Sequence, residues 1–111
     1  MAFNWEYRFT RKAEADLDSI VRYISGELSN PKAASVFVEK LQDIIDEARA
    51  FPESGSPVMN EFLENTQVRK KFAGNYVMYY LPDTNERVLY ILRIIYGKRD
   101  RQDILNQLDL K

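Results

Sequence analysis

The sequence predicts an α+β fold in the order β-α-α-β-β-β-α, a helical hairpin packed on a four-stranded, largely antiparallel sheet. Three observations predict it. Phe3–Phe9 alternates between aromatic and polar residues, the period of a strand with one buried face. Two amphipathic stretches, one over residues 11–28 and one over residues 31–50, follow with almost nothing between them. Gln67–Arg101 then reads as three strands separated by two turns.

In the first strand Phe3, Trp5, Tyr7 and Phe9 face one side, and Asn4, Glu6 and Arg8 the other. Thr10 is placed to cap the first helix, its hydroxyl accepting from a free N–H of the opening turn. That helix runs from Arg11 to Leu28 with Ala13, Leu17, Ile20, Ile24 and Leu28 as its apolar stripe. Asn30 caps the second helix, and Pro31 occupies the first helical position, where a missing N–H costs nothing. The second stripe is Ala34, Phe37, Leu41, Ile44, Ile45 and Ala48. So short a link makes the pair an antiparallel hairpin. Phe51–Thr66, with Pro52, Gly55 and Pro57, reads as a long loop.

The three strands of the final stretch are Gln67–Phe72, Tyr76–Leu81 and Arg87–Tyr96. Ala73-Gly74-Asn75 and Pro82-Asp83-Thr84-Asn85 are the turns between them. The third is apolar on both sides, as a strand covered on both faces should be. It is therefore expected to be interior, with Phe3–Phe9 as its second neighbour, parallel or antiparallel. The hairpin covers one face of the sheet, and the other face, or part of it, is expected to be open. Arg101–Leu110 reads as a short last helix with Ile104, Leu105 and Leu108 inward.

A chain of 111 residues has room for one domain with one modest core. It contains no cysteine and no histidine. Disulfides, thiol nucleophiles, imidazole bases and zinc sites with the usual ligands are thereby excluded, and no cofactor is expected. With no apolar run of membrane-spanning length and no signal-like start, a cytoplasmic chain with no membrane partner is expected. The formal charge of −1 conceals a polarised sequence. Residues 67–101 carry eight Lys/Arg against three Asp/Glu, whereas residues 1–66 carry seven against twelve.

The basic stretch supplies the candidate site. Arg69 and Lys71 share one face of their strand, with Lys70 opposite. Arg93 stands among Leu92, Ile94 and Ile95, an expensive place for a charge unless it is paired; Asp100 is one candidate partner. Lys98 and Arg99 follow Gly97 at the end of the last strand. Such a cluster suits phosphate-rich partners. It also suits a plain edge strand, where Lys and Arg discourage pairing with other chains.

Several of these residues carry a resemblance. Ala13, Asp16, Leu17, Ile20 and Tyr23 fit the pattern A-x-x-D-L-x-x-I-x-x-Y; Pro52 and Gly55 fit P-x-x-G; Val68-Arg69, Tyr76 to Tyr80, Val88–Ile95 and Arg99-Asp100 follow in order. In these motifs the chain resembles the RelE/ParE toxin superfamily, the toxic half of bacterial type II toxin–antitoxin pairs. The resemblance spans about nine-tenths of the chain and implies the fold read above. It further implies a cognate antitoxin, expected to lie across the hairpin and the open sheet in a toxin–antitoxin hetero-oligomer.

Two activities are implied by the two branches. A ParE-like toxin of plasmid stabilisation would poison DNA gyrase, with Arg69, Lys71, Arg93, Lys98 and Arg99 on its target-binding surface. A RelE-like toxin would be a ribosome-dependent endoribonuclease, or mRNA interferase, with Lys71, Arg99 and Tyr96 as its catalytic set. The positions can be compared singly. The basic pair of the first meander strand is present as Arg69 and Lys71, and the arginine after Gly97-Lys98 as Arg99. The arginine expected in the middle strand falls on Val77, the C-terminal tyrosine on Leu105, and the histidine of other nuclease branches on Tyr96. Tyr96 or Tyr80 would have to move the proton, and tyrosine with an ordinary pKa of about 10 is a poor base at neutral pH. The ParE-like reading is the stronger.

Overall fold

The computed structural model describes residues 5–58 and 67–97. Strand β1 (Glu6–Phe9) leads into helix α1 (Arg11–Arg22), a π-helical turn (Tyr23–Glu27) and helix α2 (Pro31–Ala50). A 3-10 turn (Pro52–Ser54) precedes strands β2 (Ser56–Pro57), β3 (Arg69–Ala73), β4 (Tyr76–Asp83) and β5 (Val88–Tyr96). The sheet order is β1-β5-β4-β3-β2. The class is the one expected. The sheet gains a fifth strand among the described residues because the loop after α2 pairs briefly with β3, Ser56 opposite Lys70 and Pro57 opposite Arg69. Pro57 can sit there because the strand is an edge. The start of the expected first strand and the whole expected last helix lie outside the described residues.

β5 is flanked by β1 and β4, which explains why its sequence is apolar on both sides. Its pairing with β1 is parallel, Glu6 against Val88 through Phe9 against Ile91. The meander of β3, β4 and β5 is antiparallel. Gly74, at φ 61°, makes the first turn in the left-handed region that glycine enters freely. The second turn lies later than expected: β4 continues through Pro82 and Asp83. Beyond Tyr80 it has no β3 neighbour, so proline is tolerated. The Asp83 carboxylate then accepts from the N–H groups of Asn85 and Glu86 at 3.0 and 3.1 Å and closes the turn.

Both helix caps form. Thr10 Oγ1 accepts from Ala13 N at 3.1 Å and donates to Leu92 O at 3.1 Å, so one hydroxyl starts α1 and fastens it to β5. Asn30 Oδ1 accepts from Ala33 N at 3.0 Å. Ala13, Ile20 and Ile24 are buried with Ala34, Phe37, Leu41, Ile45 and Ala48 against Met78, Tyr80, Leu89, Ile91 and Ile94 of the sheet. Leu28 does not join them and is 55% exposed. The cause is the π turn, in which Leu28 N donates to Tyr23 O five residues back; the wider turn rotates Leu28 off the stripe.

The face turned away from the hairpin is not open at its middle. Val68, Val77, Tyr79, Leu92 and Ile95 form a second buried cluster there with Val58. Phe72 at its margin is exposed. No helix among the described residues is long and apolar enough to cross a membrane.

Candidate functional site

The expected basic residues that are described fall into two groups, one on β3 and one on β5, with β4 between them. At the β3 side, Arg69 and Lys71 point towards the hairpin face, in register with Tyr80 and Met78. Arg69 Nη1 donates to the carbonyls of Glu53 at 3.1 Å and Gly55 at 2.7 Å. The Tyr80 hydroxyl accepts from Gly55 N at 2.9 Å and donates to Pro52 O at 2.8 Å. Four hydrogen bonds thus hold the Pro52–Gly55 turn against β3 and β4. Gly55 is required there by space: a Cβ would stand 2.6 Å from Tyr80 Oη and 2.8 Å from Lys70 O. Lys71 Nζ donates to Ser54 Oγ at 3.0 Å and pairs with Glu47 of α2. Its side chain is only 9% exposed. The lysine therefore ties helix, turn and strand together.

On the other side, β1 stops opposite Ile91, so beyond it that edge of β5 has no strand neighbour among the described residues. Asp16 of α1 takes that place. Its carboxylate accepts from Ile94 N at 2.9 Å and from Arg93 Nε and Nη2 at 2.7 and 3.0 Å. Arg93 can reach the edge because the register slips here: Tyr79 opposes Arg93 while Tyr80 opposes Ile91, leaving Leu92 extra. The bond to Asp16 raises Arg93 above the ordinary guanidinium range, against the opposing effect of burial. The partner of Arg93 is thus Asp16. Asp100, the sequence candidate, lies outside the described residues.

Arg93 also shares a hollow of about 210 Å³ with Tyr23, Tyr76 and Tyr96. Tyr96 stacks edge-on against Tyr76 with ring centres 5.5 Å apart. Burial, and then the neighbouring Tyr23 and Tyr96 hydroxyls, push Tyr76 up. Burial pushes Tyr80 up as well, opposed by the Gly55 N–H. The structure therefore brings Arg69 with Lys71 and Arg93 with Tyr96, but does not join the two pairs. Lys98 and Arg99 lie outside the described residues. Val77, where the nuclease branch is expected to carry arginine, is fully buried in the second cluster. Leu105 lies outside the described residues. No group of acidic residues capable of holding a metal is present among the described residues.

The family model described as "ParE toxin of type II toxin-antitoxin system, parDE" matches residues 7–101. The chain belongs to the ParE toxin family. No curated protein matches it. Among solved structures, it is similar to a chain of the chromosomal ParDE toxin–antitoxin system from P. aeruginosa. The identity is 22%, the coverage 86% of this chain and 98% of that one, and the TM-score 0.65. A chain of the RelBE2 toxin–antitoxin complex from Mycobacterium tuberculosis is 22% identical over 83% of this chain and 96% of that one, with a TM-score of 0.57. One of the archaeal RelE–RelB complex from Pyrococcus horikoshii OT3 is 14% identical over 86% and 97%, with a TM-score of 0.55. At these identities the likeness is one of fold.

Every site residue expected from the sequence lies inside the matched span of this ParE-family chain. The residues that sequence reasoning missed are the partners: Asp16, Glu47 and Ser54. Asp16 had a signal, since it stands in the opening helix motif, but nothing in the sequence pointed to Arg93 from there.

Proposed function

We propose that this ParE-family chain is the toxin of a type II toxin–antitoxin pair, that it arrests growth by binding and poisoning DNA gyrase, and that a cognate antitoxin neutralises it. The observation that supports the gyrase reading is how the basic residues are spent. Phosphoryl transfer in RNA needs a group poised to move a proton at neutral pH and a cation facing the phosphate. Lys71 and Arg93 are instead engaged within the fold, burial raises Tyr80, and Val77 occupies a dry position. Arg69, Lys98 and Arg99 are proposed to meet the target directly, and Lys71 and Arg93 to act by holding the turn and α1 in place. The cited solved structures are all of toxin–antitoxin systems or complexes by title, which supports an antitoxin as partner. A gyrase target places the chain in the cytoplasm.

The test is a pulse-label of cells minutes after the chain alone is induced, following DNA and protein synthesis together. DNA synthesis is expected to stop first. If protein synthesis stops first, the ribosome-dependent endoribonuclease reading replaces this one, and Lys71, Tyr96 and Arg99 become the residues to substitute.

A further inference from the structure

A cavity of about 700 Å³ opens where α2 gives way to the Pro52–Gly55 turn. Trp5, Phe51, Pro52 and Pro82 supply its apolar lining, with Arg69 and Thr84 beside them. Phe51 is 68% exposed, the most exposed large apolar side chain among the described residues. The walls are fixed in place. The Trp5 carbonyl accepts from Arg49 Nε at 2.8 Å, and the Arg87 guanidinium lies 5.8 Å from the Trp5 ring centre. Arg69 is held by two carbonyls through Nη1 alone, and its Nε and Nη2 make no hydrogen bond among the described residues.

We propose that this cleft is the anchor pocket for a peptide segment of the partner chain, one that carries a carboxylate beside a large apolar side chain. The apolar side chain fills the space between the aromatic and proline walls, while the carboxylate takes the two free nitrogens of the Arg69 fork, a geometry guanidinium offers to planar anions. The unused side of the Arg69 fork selects the acid. Arg69 is the one cation and Glu53 the one carboxylate among the described lining residues, and Glu53 reaches Arg69 only through its backbone carbonyl, while the Arg87 guanidinium lies over the Trp5 ring. A cleft of this size and lining is of the kind that takes ligands, its few polar groups setting orientation. The inference rests on the toxin–antitoxin reading, because it assigns the cleft to the chain that neutralises the toxin.

Trp5 is the only tryptophan of the chain, so indole fluorescence reads the cleft directly. The full chain is titrated with the acetylated and amidated tetrapeptide Leu-Asp-Leu-Glu and with its isostere Leu-Asn-Leu-Gln. A saturable change with the acidic peptide, and roughly tenfold weaker binding of the isostere, are the expected results. Phe51→Ser and Thr84→Glu, both at exposed positions, should weaken the acidic peptide to a similar degree with the circular dichroism spectrum unchanged. Equal binding of the two peptides, unaltered binding by both variants, or no saturable change overturns the proposal. Growth arrest on induction reports separately on the toxin reading. Arrest without charge-dependent peptide binding therefore removes the cleft assignment and leaves that reading intact.

Discussion

Asp16→Ala should be among the costlier single substitutions in this protein, although it removes only a small side chain from a helix surface. The carboxylate accepts three hydrogen bonds, two from Arg93 and one from Ile94 N. Its loss leaves a backbone N–H unpaired at a strand edge that α1 covers, at about 1–3 kcal/mol. It also leaves Arg93 without its counter-charge. Breaking a fully buried pair costs about 3–5 kcal/mol, and the 21% and 16% exposure of these side chains lets water recover part of that. The expected total is about 3 kcal/mol, a large share of the roughly 5–15 kcal/mol that stabilises a typical domain. With a urea slope of about 1.5 kcal/mol/M, the unfolding midpoint should fall by about 2 M. Asp16→Asn keeps one acceptor oxygen and should lose about half as much. A double-mutant cycle with Arg93→Gln isolates the pair, and about 1.5–2 kcal/mol of coupling is expected. A cost for Asp16→Ala under about 1 kcal/mol, or coupling near zero, would refute the claim that Asp16 stands in for a missing strand.

Gly55→Ala should destabilise by about 1–3 kcal/mol, because the added methyl meets Tyr80 Oη and the Lys70 carbonyl; a thermal midpoint equal to the parent's would contradict this. Tyr80→Phe removes a donor and an acceptor from the same turn, at an expected cost of about 1–3 kcal/mol by chemical denaturation. The same residue has a pH signature. Its folded pKa is raised, so its contribution is fully present below the unfolded value of about 10 and is lost as pH climbs through the folded value. Part of the alkaline fall in stability should therefore vanish in Tyr80→Phe, and an unchanged pH profile would count against it. Val77→Arg, which restores the arginine of the nuclease branch, should yield a poorly folded chain and no RNA cleavage. It places an unpaired charge where the valine is fully buried, and a soluble, cleaving variant would reopen the enzymatic reading.

Local chemistry determined much of this protein. Thr10 and Asn30-Pro31 mark helix starts because a cap needs only an oxygen or a missing N–H at one position, and both form as read. The shared face of Arg69 and Lys71 follows from strand periodicity alone. The interior place of β5 was legible because a strand with two neighbours and two covered faces has no room for polar alternation. Tertiary structure decided what local periodicity does not encode. The pattern of β1 is the same whichever way it runs, so its parallel pairing with β5 depends on where the chain returns. The π turn that turns Leu28 outward is one residue of slack in a helix, invisible to a count of threes and fours. The partners of the cations are the clearest case. Asp16 and Arg93 are 77 positions apart, and only a strand that ends early, a register slip and a helix packed across the gap bring them together.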